Sequence, residues 1–367
     1  MQKVLNIVPY PFLPYFSGGQ KLIAHFNQFL GEKTELYVIG TNDNHVIGNE
    51  SYTFLPWLAA GKWRYVDFTV YARIKKLILS KSIDTVIIEH PYLGWLGTWL
   101  KISTSVKLIY HTHNVEFARF RSLDKFWWPL LKQYEKWSLL QADLIGCISN
   151  EDKDLFIKAL NIPEKKCHIL PYGVLQQATP INKEALKEAI CKRHSLDAHK
   201  HLLFFNGLLD YAPNTEALKQ ILENINPLLQ QSGLQYEILI AGKRLPASFQ
   251  SLEPWNKVNV HYAGFVEDID AYTTAADVLL NPVITGGGVK TKVVEAIALN
   301  TSVVSTQSGA TGIETGVCGN KISIVNDYDW QNFVAAISKQ LDEKHITPTS
   351  FYDYYYWGNI VNRFLEH

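Results

Sequence analysis

Residues 286–306 read GGGVKTKVVEAIALNTSVVST. An apolar, strand-like run, Asp277 to Pro282, precedes the three glycines, and a β-branched run, Thr301 to Thr306, closes the segment. Between them lies a helical pattern that carries Lys290, Lys292 and Glu295. Strand, glycine turn, helix and strand in that order make a βαβ unit, the building block of a parallel sheet. A glycine turn that opens a helix exposes backbone N–H groups, and the helix dipole adds partial positive charge, so the turn suits an anion. The two lysines add full charges, and Glu295 offers two acceptor oxygens for hydroxyl groups. Phosphate donors beside a hydroxyl acceptor fit a nucleotide with its ribose. A plain tight turn with Glu295 as a solvated helix residue fits the same letters, and the segment taken alone leaves both readings open.

The same rhythm runs outward in both directions. Strand-like runs in the first half are Val4–Val8, Thr34–Ile39, Thr85–Glu89, Lys107–His111, Leu144–Ser149 and His168–Leu170. Helical patterns lie between them at Gln20–Leu30, Tyr65–Ser80, Pro129–Leu140 and Asn150–Leu160. Near Gly173 the rhythm pauses, and the polar stretch Leu175–Lys200 reads as a linker plus a surface helix. It then restarts with strands at His201–Phe205, Tyr236–Ala241, Val258–Ala263, Asp277–Leu280, Ser302–Ser305 and Ile322–Val325, and a helix at Asn214–Asn224 with Asn214 as its cap. The chain is therefore read as α/β, with two Rossmann-like parallel-sheet domains, 1–174 and 201–350, facing a cleft. The aromatic segment 351–367 (FYDYYYWGNIVNRFLEH) is read as one C-terminal helix that crosses back to complete the first domain. Open parallel sheets bind ligands at the carboxyl ends of their strands.

Bulk numbers narrow the classes. The length, 367 residues, suits two domains, and 47% hydrophobic with 19% charged residues describes a globular chain. Lys plus Arg equals Asp plus Glu at 35 each, a balance that argues against nucleic acid as a partner. Four dispersed cysteines, at 147, 167, 191 and 318, give no metal-ligand spacing and no disulfide framework, so a reducing compartment is expected. The first residues read as a strand rather than a signal peptide, and no apolar run approaches the length of a membrane span.

With these segments in place the chain resembles the family 4-like (GT4-type) retaining glycosyltransferases of the GT-B fold. The resemblance spans nearly the whole length. Its landmarks are GLLDYAPNTEAL, LIAGKRLP, VHYAGFVEDIDAYTTAADVLLNP and GGGVKTKVVEAIALNTSVVSTQSGATGI in the second half, with SGG, HTHNVEF, ISNEDKDLF and LPYGV in the first. It implies a hexosyltransferase that takes a sugar from a nucleoside diphosphate to a hydroxyl acceptor, a glycan or a lipid-linked polysaccharide precursor of the cell envelope. It implies no cofactor and no metal.

Residue by residue, the resemblance gives Glu295 the donor ribose. Gly286, Gly287, Gly288, Val289 and Lys290 would bring backbone and charge to the donor sugar and diphosphate, and Lys292 would stabilise the leaving group. Lys243, Val266, Glu267, Gly207 and Asp210 would complete the donor pocket. Position 287 departs from the pattern, because relatives often carry a second glutamate there that touches the donor sugar. In the first domain Gly18 and Gly19 would belong to a loop over the donor phosphates and acceptor. His113 would orient and stabilise the donor sugar without acting as a strict general base, and Asn114 and Glu116 would project into the cleft. His90, with Glu89 beside it, is a cleft candidate with a structural role as the equal alternative, and His111 is read as a core residue.

Two stretches interleave aromatic and basic residues: Trp127, Trp128, Leu131, Tyr134 and Trp137 with Lys125, Lys132 and Lys136, and Trp63, Tyr65 and Phe68 with Lys75 and Lys76. Ordinary amphipathic packing on the core is the preferred reading, and shallow insertion into a membrane surface is the alternative. The expected location is the cytoplasm, with peripheral attachment at the inner face of the membrane as its variant. The rival functions are a sugar-nucleotide epimerase of the same architecture and a transferase-like binding subunit without chemistry.

Overall fold

A computed structural model describes residues 1–367 and divides them into two compact units, one of residues 1–173 with 357–367 and the other of residues 174–356. In the first unit the order is β1 (Lys3–Ile7), α1 (Gly18–Gly31), β2 (Glu35–Thr41), β3 (Thr53–Leu58), α2 (Val70–Lys81), β4 (Thr85–Glu89) and α3 (Gly94–Thr104). There follow β5 (Lys107–Thr112), α4 (Glu116–Ser122), α5 (Trp128–Gln141), β6 (Leu144–Cys147), α6 (Asn150–Leu160) and β7 (Cys167–Ile169). All seven strands are parallel, in the order β3-β2-β1-β4-β5-β6-β7.

Strand alternation decides what each face carries. Leu5, Ile7, Val86, Ile88, Leu108, Tyr110 and Ile145 point to the side covered by α2, α3, α5 and α6, where they share one apolar cluster with Ile74, Leu96, Leu139 and Phe156. Right-handed crossovers between successive strands place those helices together. Asn6, Glu89 and His111 point the other way, toward α1: Asn6 bonds to Asn27, and the His111 ring lies 4.7 Å from Phe26. The helix α1 begins two residues before the sequence pattern suggested. Ser17 caps it, and Gln20 returns hydrogen bonds to the backbone of Phe16 and Ser17, a capping box that fixes the Gly18–Gly19 start.

The second unit contains α7 (Lys183–Arg193), β8 (His201–Asn206), α8 (Ala212–Gln220), α9 (Asn226–Gln231), β9 (Tyr236–Ala241), β10 (Val260–Gly264) and α10 (Ile269–Ala275). It continues with β11 (Val278–Asn281), α11 (Thr291–Ala298), β12 (Ser302–Thr306), β13 (Ile322–Val325), α12 (Trp330–Asp342) and α13 (Thr349–Tyr355). Its six parallel strands run β10-β9-β8-β11-β12-β13.

The structure differs from the sequence reading at the joins. The surface helix expected within 175–200 is present as α7, and it packs on α10, where Lys183 donates to the Thr274 carbonyl near that helix's carboxyl end. The aromatic C-terminal segment is not one helix. Tyr356 leaves the helical region at φ −66°, ψ 127°, so α13 stays in the second unit and α14 (Trp357–Leu365) joins the first, against α1. Asn214 does not cap α8, which starts at Ala212 behind Tyr211; its amide donates to the Leu208 carbonyl instead.

Candidate functional site

In the second unit every strand presents its carboxyl end at one edge, and the sheet order changes direction between β8 and β11. The predicted donor residues gather along that edge. Gly207 follows β8 and donates to Ala241 at 3.2 Å; Leu209 donates to the Lys243 carbonyl at 2.9 Å; Gly242 donates to Gly264 at 2.8 Å. Val266 lies two residues beyond β10, and Gly286–Lys290 connect β11 to α11.

The glycine turn is built by necessity at two points. Gly286 and Gly288 have φ of +86° and +78°, and a Cβ on Gly286 would stand 2.7 Å from the Pro213 ring. Gly287 differs: a Cβ there would meet nothing within 4 Å. Lys290 folds back on the turn, its ammonium 3.0 Å from the Gly286 carbonyl and 2.9 Å from that of Gly288.

Lys292 reaches from α11 to the end of β8. Its ammonium donates to the Asn206 carbonyl at 3.1 Å, lies 3.5 Å from Asn214 Oδ1 and stands 4.3 Å from the centre of the Phe205 ring. Burial pushes it down to about 7, with the Lys290 charge adding to the effect, and burial pushes Lys290 down to about 8. Neither ammonium has a carboxylate within ion-pairing distance. Glu295 is half-buried on the same helix. Lys243 lies over the Phe265 ring at 3.9 Å, Arg244 is 3.5 Å from Asp210, and Glu267 and Asp210 are exposed. Asn206, Phe205 and Phe265 were not singled out from sequence, since an asparagine and two phenylalanines at strand ends carry no motif of their own.

The first unit assembles a polar cluster at the carboxyl ends of β1, β4 and β5. Glu89, fully buried, takes Asn6 Nδ2 at 2.8 Å on Oε1, while Oε2 lies 2.7 Å from His113 Nε2 and 2.9 Å from His111 Nδ1. These histidines hold the carboxyl well below the usual carboxylate range against the cost of burial. His113 Nδ1 lies 3.2 Å from the Tyr10 hydroxyl. Burial, with the neighbouring His90, drives His113 down to about 3, so its ring is neutral.

His90 packs between Tyr10, Tyr92 and His113, and its backbone sits at φ 64°, ψ 157°, a region costly for any residue with a side chain. Its Nδ1 lies 3.2 Å from Glu116 Oε1. Glu116, expected to project into a cleft, has no solvent exposure. It is the first residue of α4, with Oε2 taking the Tyr92 hydroxyl and Arg119 at 3.1 Å. These contacts hold its carboxyl down at about 2 despite burial. Asn114 is half-buried, and Gly18 and Gly19 open α1, with free space where a Cβ on Gly19 would lie. The residues the sequence did not mark are Asn6, Tyr10 and Tyr92. Their only signal is a polar letter at or just past a strand end.

Glu89, His111 and His113 each offer a ligand atom within 4.8 Å of the others, the spacing of a metal site. Of the two imidazole nitrogens beside Oε2, His113 Nε2 is hydrogen-bonded to it at 2.7 Å, while His111 Nδ1 stands 2.9 Å away.

Known proteins align along both units. A family model described as "Glycosyltransferase Family 4" matches residues 16–175, and one described as "Glycosyl transferases group 1" matches residues 200–343. An Escherichia coli protein named O-antigen biosynthesis glycosyltransferase WbnH is 20% identical over 264 residues, 70% of this chain and 68% of its own. An E. coli protein named UDP-Gal:alpha-D-GlcNAc-diphosphoundecaprenol alpha-1,3-galactosyltransferase is 26% identical over 242 residues, 60% of this chain and 59% of its own. The chain thus spans roughly three-fifths to two-thirds of the curated relatives it matches. Among solved structures, Anabaena HepE in complex with UDP superposes at TM-score 0.73 with 13% identity, covering 100% of this chain and 99% of that one.

Proposed function

Because the chain belongs to the GT4-type glycosyltransferases, on the GT-B plan of two Rossmann-like sheets, we propose that it moves a hexose, with retention at the anomeric carbon, from a nucleoside diphosphate to a hydroxyl acceptor. The acceptor is a lipid-linked precursor of an envelope polysaccharide. The observation that carries the reading is Lys292 and Lys290 at the glycine turn. Two half-buried ammonium groups have only carbonyl, amide and ring partners, which is the environment a diphosphate completes. Negative charge grows on the diphosphate as the sugar bond breaks, so fixed cations favour the transition state over the bound donor. They supply the charge that a divalent ion supplies elsewhere, and the reaction is metal-independent on this account.

Glu295 holds the ribose, and Gly286–Gly288 bring backbone N–H groups to the diphosphate and sugar. The acceptor oxygen attacks from the side of the leaving group. As its bond to the anomeric carbon forms, the bond to the departing phosphate breaks, and the hydroxyl proton passes to that phosphate. His113 orients the sugar for this step rather than taking the proton. The UDP in HepE and the UDP-galactose in the name of the E. coli relative support a uridine diphosphate donor. The undecaprenyl diphosphate in that name supports the lipid-linked acceptor. No helix is long and apolar enough to cross a membrane, and the proposed location is the cytoplasmic face of the membrane, held peripherally.

Thermal unfolding with a panel of nucleoside diphosphates and their sugars tests this. UDP is expected to raise the transition of the wild-type protein and to leave Lys292→Met unmoved, and slow hydrolysis of the UDP-sugar should persist in EDTA. If no nucleoside diphosphate stabilised the wild type, the reading would fail. Binding without hydrolysis or transfer would favour the inactive subunit, and conversion of the sugar nucleotide to an epimer would favour the epimerase.

A further inference from the structure

Between α4 and α5 the chain turns over at a tip that exposes more apolar surface than a solvated loop needs. Phe126 is 92% exposed, Leu130 75% and Leu123 52%. Isolated exposed apolar residues are ordinary, but three large ones grouped on one turn are not. The tip is ordered within itself. Asp124 donates to the Arg121 carbonyl at 3.0 Å, Lys125 to Phe120 at 3.1 Å and Trp128 to Lys125 at 3.0 Å, while the Phe120 and Trp127 rings lie 4.6 Å apart. Three of its backbone donors are thus satisfied within the tip, which lowers the cost of entering a poorly hydrated layer. Arg121 and Lys125 are exposed beside the apolar groups, and Asp124 is the only acid from 121 to 134. On α5 the exposed side continues through Trp137 and Leu140, seven and ten positions beyond Leu130.

Apolar side chains in a collar of cations match the interfacial layer of an anionic bilayer, where hydrocarbon and phosphate lie a few ångströms apart. The tip also hangs close to the polar cluster. The seven residues of α4 begin at Glu116 and span roughly 10 Å at 1.5 Å per residue. The α4 start is tied to α5 by Glu135, which accepts the backbone N–H groups of Glu116 and Phe117 at 2.9 Å each.

We propose that the α4–α5 tip is a membrane-docking element that seats Leu123, Phe126 and Leu130 among the headgroups of an anionic bilayer, with Arg121 and Lys125 on lipid phosphates. The docking is independent of the chemistry. Its use, bringing a lipid-linked acceptor to the first unit, rests on the function proposed above.

The test is sedimentation of the full chain with vesicles of phosphatidylcholine alone or mixed with phosphatidylglycerol. Wild type is expected to bind the anionic vesicles, less so at high salt. The combined variant Leu123→Ser, Phe126→Ser, Leu130→Ser should bind at least tenfold more weakly. Arg121→Gln with Lys125→Gln should lose the preference for phosphatidylglycerol while keeping weak binding to both vesicles. Both variants should keep the thermal transition and the UDP-induced shift, so the donor-site reading stands or falls separately. Wild type that sediments with neither vesicle, or an apolar variant that sediments as wild type does, would overturn the proposal. So would self-association of the wild type without vesicle binding that the apolar variant abolishes, since the tip would then be a contact between copies.

Discussion

His113 and Glu89 meet inside the first unit, Nε2 to Oε2 at 2.7 Å. A carboxylate only accepts, so the imidazole proton sits on Nε2, a tautomer assigned from the network. Nδ1 is then an acceptor and takes the Tyr10 hydroxyl at 3.2 Å. Both ring nitrogens are committed, and no lone pair is left to deprotonate an acceptor. His113→Ala is therefore expected to lower kcat by about 10²-fold with the donor KM nearly unchanged, since what is lost is positioning. Because burial holds His113 near 3, its charge does not change above about pH 4. The pH–rate profile should show no acid limb near the ordinary histidine value of about 6.5 that Tyr10→Phe or His113→Ala removes.

Glu295 faces a different test. A vicinal diol uses both carboxylate oxygens, so Glu295→Ala should weaken UDP binding at least tenfold in calorimetry, in line with hydrogen bonds to a charged group. Glu295→Gln should recover part of it. Unchanged affinity in both variants would remove Glu295 from the ribose.

Lys292 makes nucleotide affinity depend on pH. Free, it titrates near 7, because burial disfavours its charge. A diphosphate beside it favours the charged form, so above pH 7 the protein takes up a proton as it binds. Affinity should fall toward tenfold per pH unit above about 7, up to the bound-state value. Calorimetry in buffers of different ionisation enthalpy would report the proton, and Lys292→Met should abolish it. The sign for stability follows from the same shift. The unfolded chain holds the lysine proton between about 7 and its ordinary 10.5, so this residue's contribution to stability rises with pH through that window.

Gly287→Glu should fold normally, since open space surrounds the missing Cβ. Its transition temperature is expected to stay within about 2 °C of wild type, as for a surface change that creates no clash. The new carboxylate would stand beside the donor sugar, and relative turnover of UDP-hexoses differing at one hydroxyl should change. An identical donor profile would place the sugar away from the turn.

Gly173 lies against Trp357: an added Cβ would stand 2.4 Å from Trp357 Cδ2, and that ring is fully buried. Gly173→Ala should cost about 1–3 kcal/mol through overpacking, read as a lower urea midpoint. An unchanged midpoint would mean that the indole can shift freely.

Much of this fold was legible because the strands are continuous runs of branched residues. Thr85–Glu89, Tyr236–Ala241 and Ile322–Val325, with the helix Asn150–Leu160, have the bounds the pattern implied. β3 was not, since TFLPWL carries Pro56 and is largely half-exposed, features an edge strand tolerates. α3 hid in GWLGTWLKIST, where glycines are poor helix formers. Tertiary packing calls for them: a Cβ on Gly94 would run into Ser138, and one on Gly97 would stand 2.7 Å from Ile88. The donor turn could be read because its glycines, lysines and glutamate are neighbours in sequence. Tyr10, Glu89 and His113 lie at or just beyond the ends of three strands, and only strand pairing brings them within hydrogen-bond reach. The burial of Glu116 escaped notice for the same reason: its partners are Tyr92 and His90, more than twenty residues back.

The break at Tyr356 also sets an order of assembly. Residues 174–356 form an unbroken stretch, whereas the first unit needs α14, where Trp357, Ile360 and Val361 are all but fully buried. As the chain emerges from the ribosome, the unit begun first is the one completed last. Until residues 357–365 arrive, Phe26 lacks the Trp357 and Phe364 rings that lie 6.4 and 5.5 Å from it. The nascent first unit therefore waits with an open apolar seam while its younger neighbour can already close.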